Sequence, residues 1–276
     1  MTAPASRPLW EQLLAWDEER LARTDPAVLN LEVAKGIPDL KDLDVEPYCR
    51  LLDHTAAGFA RWLPTAEREF QADPAGWNND LVRFRLGMLS QYLEQVLGVR
   101  YNEDQRDVKK IQYTNPGDLF LNGVLDTRQG TCGNMAVLYL SVCWRLGWPV
   151  FLALTGWHEI CRYDDGTRTL NVETTAIGEG GFGTPPDEYY IAKYNLLPEW
   201  ITSGSDLTAL RPRQMLGSFF GSRGRYWYDR RDALGATDDY RRATELFPQS
   251  RLWREKYHHA AGLACDEWSW GFRSGD

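Results

Sequence analysis

Long apolar runs, basic clusters and paired cysteines are all missing from this 276-residue chain. The longest apolar stretch, Met135 to Val142, is interrupted by Tyr139 and Ser141 and is too short to cross a bilayer. The opening segment MTAPASRPLWEQLLAWDEERLAR carries charges every few residues and reads as neither a secretory signal nor a membrane span. Lys and Arg total 31 against 39 Asp and Glu, a formal charge of −8, and no Lys/Arg stripe is available to neutralise phosphates. Nucleic acid and membrane are therefore set aside as partners. The five cysteines (Cys49, Cys132, Cys143, Cys161 and Cys265) are odd in number, scattered and without a CxxC pair. His258 and His259 are adjacent, so on a helix they point in different directions, and no HxxxH accompanies them. Neither a disulfide framework nor a metal centre is expected, no cofactor is implied, and a reducing, cytoplasmic setting is the expected one.

What is present is ordinary globular patterning with a change of character along the chain. Residues 1–100 read as helices: Leu9, Leu13, Leu14 and Leu21 follow helical spacing, as do Tyr48, Leu51, Leu52, Ala56 and Phe59. A break at Asp73-Pro74-Ala75-Gly76 precedes a longer amphipathic helix from Leu81 to Leu97, stopped by Gly98. Arg100 to Gly117 is polar and reads as a connecting loop. A helix follows Cys132 and ends at Gly147-Trp148-Pro149. Val150 to Thr155 reads as a buried strand, and Trp157–Tyr163 and Arg168–Thr174 alternate around Asp164-Asp165-Gly166-Thr167, a strong hairpin signal. The stretch Gly178 to Gly183 contains a formal GxGxxG, but Pro185-Pro186 follows where a phosphate-binding loop would open a helix, so it reads as a loop beside the sheet. Tyr189 to Leu197 is expected to add a strand or edge segment.

Near the end, Gly224, Trp227, Ala236, Tyr240, Ala243 and Pro248 fall at the spacing of one tetratricopeptide unit, with no second copy. A lone unit must lean on the rest of the chain or on a protein partner at these C-terminal helices. The acidic pair Asp238-Asp239 reads as solvated helix surface. The expected architecture is α+β: a helical region over residues 1–100, a core of one helix on a small antiparallel sheet over 101–200, and a helical hairpin over 201–276, packed as one unit.

Cys132 is the residue on which chemistry turns. It follows Gly130 and Thr131 at a loop-to-helix junction, where unpaired backbone N–H groups and the helix dipole favour the thiolate, the reactive form. The hairpin supplies a partner. If the turn is centred on Asp165-Gly166, paired residue numbers sum to 331, which sets His158 across from Glu173 and Ile160 across from Asn171. A carboxylate there would accept the Nδ1–H of His158, fix its tautomer and leave Nε2 for the thiol. Asn171, on the same face, is the rival for the orienting role. Cys143 and Cys161 read as packing residues, the latter on the strand face opposite His158.

The runs GTCGNMAVLYLSVCWRLGWPV, GWHEICRY and LNVETT resemble the transglutaminase-like superfamily, thiol enzymes with a papain-related core. The helical start and single tetratricopeptide-like tail are similar to a bacterial branch of it. The resemblance implies that Cys132 is the nucleophile, His158 the general base and acid, and Glu173 the orienting carboxylate. It departs from the family in having Glu where Asp is usual. The family's upstream oxyanion side chain is not identifiable, with Gln129 the nearest candidate. The implied activity is acyl transfer or hydrolysis on an amide of a peptide or protein substrate. The alternative is a catalytically inactive scaffold or protein-interaction module on the same fold.

Overall fold

The computed structural model describes residues 7–106, 111–178 and 182–271, with side chains of the final helix described through Cys265. Helices α1 (Leu9–Gln12), α2 (Glu18–Ala22), α3 (Pro26–Ala34), α4 (Glu46–Ala72) and α5 (Leu81–Gln95) come first. Short carboxylates start several of them: Asp17, Asp25 and Asp80 each accept a backbone N–H from the first turn of α2, α3 and α5. The expected break after Ala72 and the end of α5 before Gly98 are both present, Gly98 taking φ +70°. Within the polar segment that follows, Arg100–Tyr101 (β1) pairs in parallel with Gln129–Gly130 (β2), on either side of α6 (Leu121–Thr127).

Helix α7 (Cys132–Arg145) is the centre of the molecule. Every residue from Asn134 to Cys143 is buried, the pattern of a helix covered on all sides. It packs on α3, α4 and α6, and on the sheet formed by β3 (Val150–Thr155), β4 (His158–Asp164) and β5 (Thr169–Val172). That sheet is antiparallel in the order β3-β4-β5. Leu152, Cys161 and Val172 join the main core with α7, while Ala153 and Ile160 form a second small core with Tyr190, Leu196 and Leu207. The sheet is therefore covered on both faces.

The segment after the sheet is helix, not strand: α8 (Asp187–Tyr194) and α9 (Pro198–Thr202) replace the expected edge. Local chemistry explains the difference. Pro186 precedes α8, Asp187 and Glu188 fill its first turn, and Asn195 closes it at φ +50°. Tyr190 and Tyr194, four apart, then share the face turned to the sheet. Residues Glu179, Gly180 and Gly181 of the glycine-rich stretch lie outside the described residues.

The chain ends in α10 (Pro212–Asp229), α11 (Ala233–Leu246) and α12 (Arg251–Gly271), with α10 packed on α11 and α3. Asp239 is not solvated surface. It is 1% exposed, accepts two hydrogen bonds from the buried Arg223 at 2.6 and 2.8 Å, and a third from Trp227 Nε1 at 3.0 Å. Arg223 also donates to the Val33 carbonyl at the end of α3 (2.8 Å). A buried guanidinium with no such partners would be prohibitive, so the pair and the carbonyl together fix where the C-terminal helices sit. Asp238, the residue before it, is the solvated one of the two. Among the described residues no helix is long and apolar enough to cross a membrane, and no group of His, Cys, Asp and Glu is arranged to hold a metal ion.

Candidate active site

Cys132 is the first residue of α7, half-buried, and its position is set from below. Asn134 Oδ1 accepts the Thr131 N–H (2.7 Å), Asn134 Nδ2 donates to the Gly117 carbonyl (2.9 Å), and Thr131 Oγ1 donates to the Asp118 carbonyl (2.7 Å). The helix tip is thus tied to the loop that precedes α6. The backbone N–H groups at the start of α7 have no earlier carbonyl within the helix to bind, which leaves them available to a developing negative charge.

His158 opens β4 directly after the two-residue turn Gly156-Trp157, since Thr155 pairs with His158. Gly156 takes φ +66° and its N–H is held by the buried Asp206 carboxylate at 2.6 Å. An added Cβ there would also meet Tyr194 Cβ at 3.2 Å, so glycine is required twice over. The imidazole Nε2 lies 3.0 and 2.9 Å from the two carboxylate oxygens of Glu173. The nitrogens are therefore used in the opposite sense to the one expected: Nε2 serves the carboxylate and Nδ1 is left as the nitrogen available to Cys132.

The register also differs. Cys161 pairs with Val172 and Arg162 with Asn171, so paired numbers sum to 333 and not 331. The cause is Asp165, whose Oδ1 captures the Thr167 and Arg168 N–H groups and the Thr167 hydroxyl, leaving Asp165–Arg168 as the loop. A shift of two keeps every side chain on its expected face. Glu173 consequently stands diagonal to His158, just past β5, rather than directly across from it. Asn171 lies opposite Arg162, not Ile160. It accepts from Arg162 (2.6 Å) and donates to Asp187 (2.7 Å) and the Pro185 carbonyl (3.0 Å), which leaves it away from the imidazole. Gln129 is half-buried in β2 and, among the described residues, lines neither hollow beside Cys132 and His158.

Three contributors around Glu173 and His158 were given no role by the sequence. Thr175 Oγ1 donates to Glu173 Oε1 (2.7 Å), Tyr190 Oη donates to Oε2 (3.1 Å), and Tyr194 stacks on the imidazole at 5.9 Å between ring centroids. The i, i+4 spacing of the two tyrosines was the available signal, and it reads correctly only once the segment is helix. Burial works against the charged forms of both groups, yet the pair wins. Burial pulls the His158 pKa down, but hydrogen bonding and charge from Cys132 and Glu173 raise it to about 10. Burial pushes Glu173 up, but His158 and Thr175 hold it below the usual carboxylate range. The imidazole is thus held as imidazolium beside the thiol. The other buried cysteines lack this environment: burial raises Cys143 and Cys161, and Cys161 Sγ donates to the Ala136 carbonyl (3.2 Å).

Two hollows flank the site. One, of about 310 Å³, is lined by His158, Glu173, Tyr101, Thr175, Tyr189 and Lys193. The other, of about 100 Å³, has Cys132 and Gly133 on its rim together with Trp157, which is 67% exposed at the tip of its turn. Cysteine and imidazole therefore both reach solvent.

Two curated relatives, the UPF0162 proteins of Xylella fastidiosa strains Temecula1 and 9a5c, are each similar to this chain at 27% identity over 143 residues. The match covers 52% of this chain and 42% of theirs, so less than half of each relative is represented. No solved structure matches. A profile of the transglutaminase-like superfamily matches residues 50–217, a span that holds α7, the whole three-stranded sheet, Cys132, His158 and Glu173. The chain belongs to the transglutaminase-like superfamily.

Proposed function

We propose that the protein is a cysteine-dependent enzyme that cleaves or transfers the acyl group of an amide in a peptide or protein. The reading rests on one observation above the others: an imidazole held between a helix-tip cysteine and a carboxylate, with hollows open on both sides. The Cys132 sulfur attacks the amide carbonyl carbon, and the backbone N–H groups at the start of α7 receive the oxyanion. Collapse of the tetrahedral adduct breaks the C–N bond while His158 gives its proton to the departing amine. The thioester that remains is resolved by water or by a second amine, whose proton returns through His158 to the sulfur. Glu173 keeps the ring oriented throughout and favours its protonated form.

The test is acylation by p-nitrophenyl acetate. A burst of nitrophenolate, one per chain, with an acetyl group found on the Cys132 peptide, is the expected result. Absence of the burst, or an acetyl group spread over other cysteines, would overturn the reading and favour a fold kept as a scaffold.

A further inference from the structure

The smaller hollow beside Cys132 has walls of opposite character. Its core wall carries Glu159 from β4. This carboxyl is 9% exposed, has neither a hydrogen bond nor an ion pair among the described residues, and stands over the helix tip: a Cβ on Gly133 would lie 2.9 Å from its Oε2. Burial raises its pKa to about 7, with the charge of His158 pulling the other way. The facing wall comes from α10, α11 and α12 and presents donors: Tyr240, Trp253, Lys256 and Arg225. Tyr240 Oη and Trp253 Nε1 are buried without a partner, and Lys256 has no ion pair among the described residues. Arg225 is held by Asp229 at 2.7 Å. Glu159 and Lys256 make no ion pair with each other among the described residues, although both line the hollow. Buried donors left unpaired are costly, and so is a buried carboxyl. A ligand with a carboxylate at one end and a nitrogen donor at the other would satisfy both walls at once.

We propose that this hollow binds the amine half of the reaction and that this half is an α-amino acid with a free carboxylate. Its carboxylate lies on Lys256, against the wall that holds Tyr240 and Trp253, and its nitrogen lies between Glu159 and Cys132. The same chemistry has two sources: the carboxy-terminal residue of a peptide, leaving, or a free amino acid, arriving. In the second case the amine nitrogen bonds to the thioester carbonyl, the C–S bond breaks, and the nitrogen's proton passes through His158 to the sulfur. The inference rests on the thiol-enzyme reading for its role and on the two walls for its specificity.

Quenching of tryptophan fluorescence by L-alanine, L-alaninamide and propionate tests the specificity in the unmodified protein, with Trp157 and Trp253 as reporters. Alanine is expected to bind at least about tenfold more tightly than either single-charge analogue, the scale of one charge-assisted contact. Lys256→Met should erase the preference over alaninamide, and Glu159→Gln the preference over propionate. Equal affinity for the three probes, or saturation by none, would overturn the proposal even where Cys132 is acetylated as expected. Charge-selective binding with no acetylation of Cys132 would instead keep the amino-acid site and remove the enzyme. For the two sources, release of alanine from N-acetyl-alanyl-alanine supports a leaving residue, and formation of N-acetylalanine from the acetyl-enzyme supports an acceptor. Cleavage or transfer that proceeds equally well with the C-terminally amidated probes counts against either.

Discussion

His158 and Glu173 meet through both carboxylate oxygens, at 3.0 and 2.9 Å, although β4 and β5 are offset so that neither residue lies directly across from the other. The contact is made because Glu173 leaves the strand: it begins a short helical turn and accepts the Thr175 N–H at 3.3 Å, which turns its carboxylate toward the ring. This relationship governs the first two expectations.

Iodoacetamide should alkylate Cys132 ahead of the other cysteines. Burial raises Cys49, Cys143 and Cys161, and Cys265 is exposed near the end of α12. His158→Ala should slow labelling of Cys132 by about tenfold or more, because the sulfur loses the imidazolium beside it. Peptide mapping over time gives the measurement, and uniform labelling of the exposed thiols would count against an activated sulfur.

Glu173→Gln should destabilise the protein by about 2–3 kcal/mol near neutral pH, since it leaves a buried imidazolium with half its partners. The pH dependence follows from the two shifts. Raised His158 contributes stability that is complete below its unfolded value near 6.5 and is lost as pH rises through about 10. Lowered Glu173 contributes stability that is present above its unfolded value of 4.5 and is lost as pH falls through its depressed folded value. The difference in urea midpoint between the native chain and Glu173→Gln should therefore be widest between these limits and shrink beyond pH 10. A difference that grows in alkali would contradict the ion pair.

Tyr190→Phe removes one donor from Glu173 and little volume from the small core. A loss of about 0.5–1.5 kcal/mol is expected in whichever property depends on the orientation of His158. The alkylation rate of Cys132 should fall by about 2–10-fold with the far-ultraviolet spectrum unchanged. An unchanged rate would make the hydroxyl a packing detail.

Arg223→Met and Asp239→Leu should each cost about 3–5 kcal/mol, because each breaks the buried pair, leaving Asp239 to Arg242 and Trp227 or Arg223 to the Val33 carbonyl. Arg223→Met combined with Asp239→Leu should recover a large part of that loss. Equilibrium denaturation of the four proteins closes the cycle. Additive losses would show that the two side chains act independently.

How much of this was legible beforehand varies with the range of the interaction. The helix behind Cys132, the strand Val150–Thr155 and the hairpin are set by local signals: a stop at Gly147, an apolar run and an Asp-Gly turn. They appear where the pattern puts them. The face shared by His158 and Glu173 was readable too, because the alternation of a strand survives a two-residue shift. The shift itself was not, since it depends on which amides Asp165 captures. Tyr190 and Tyr194 were hidden by a misread period: Tyr-Tyr-Ile-Ala-Lys-Tyr satisfies a strand by composition, and only Pro186 and the acidic first turn favour a helix. Asp239 was hidden for a different reason. Its partner is sixteen residues away on another helix, and nothing local distinguishes it from Asp238.

From Asn134 to Cys143 helix α7 is buried on every side. The Cys132 sulfur sits at the tip of that buried helix, whereas the ring, Glu173 and Trp157 ride on a ribbon and its turn, and the facing donors belong to helices near the end of the chain. Divergence of selectivity among related chains should therefore accumulate on the ribbon tip and the terminal helices, with the sulfur acting as the fixed point about which the rest is adjusted.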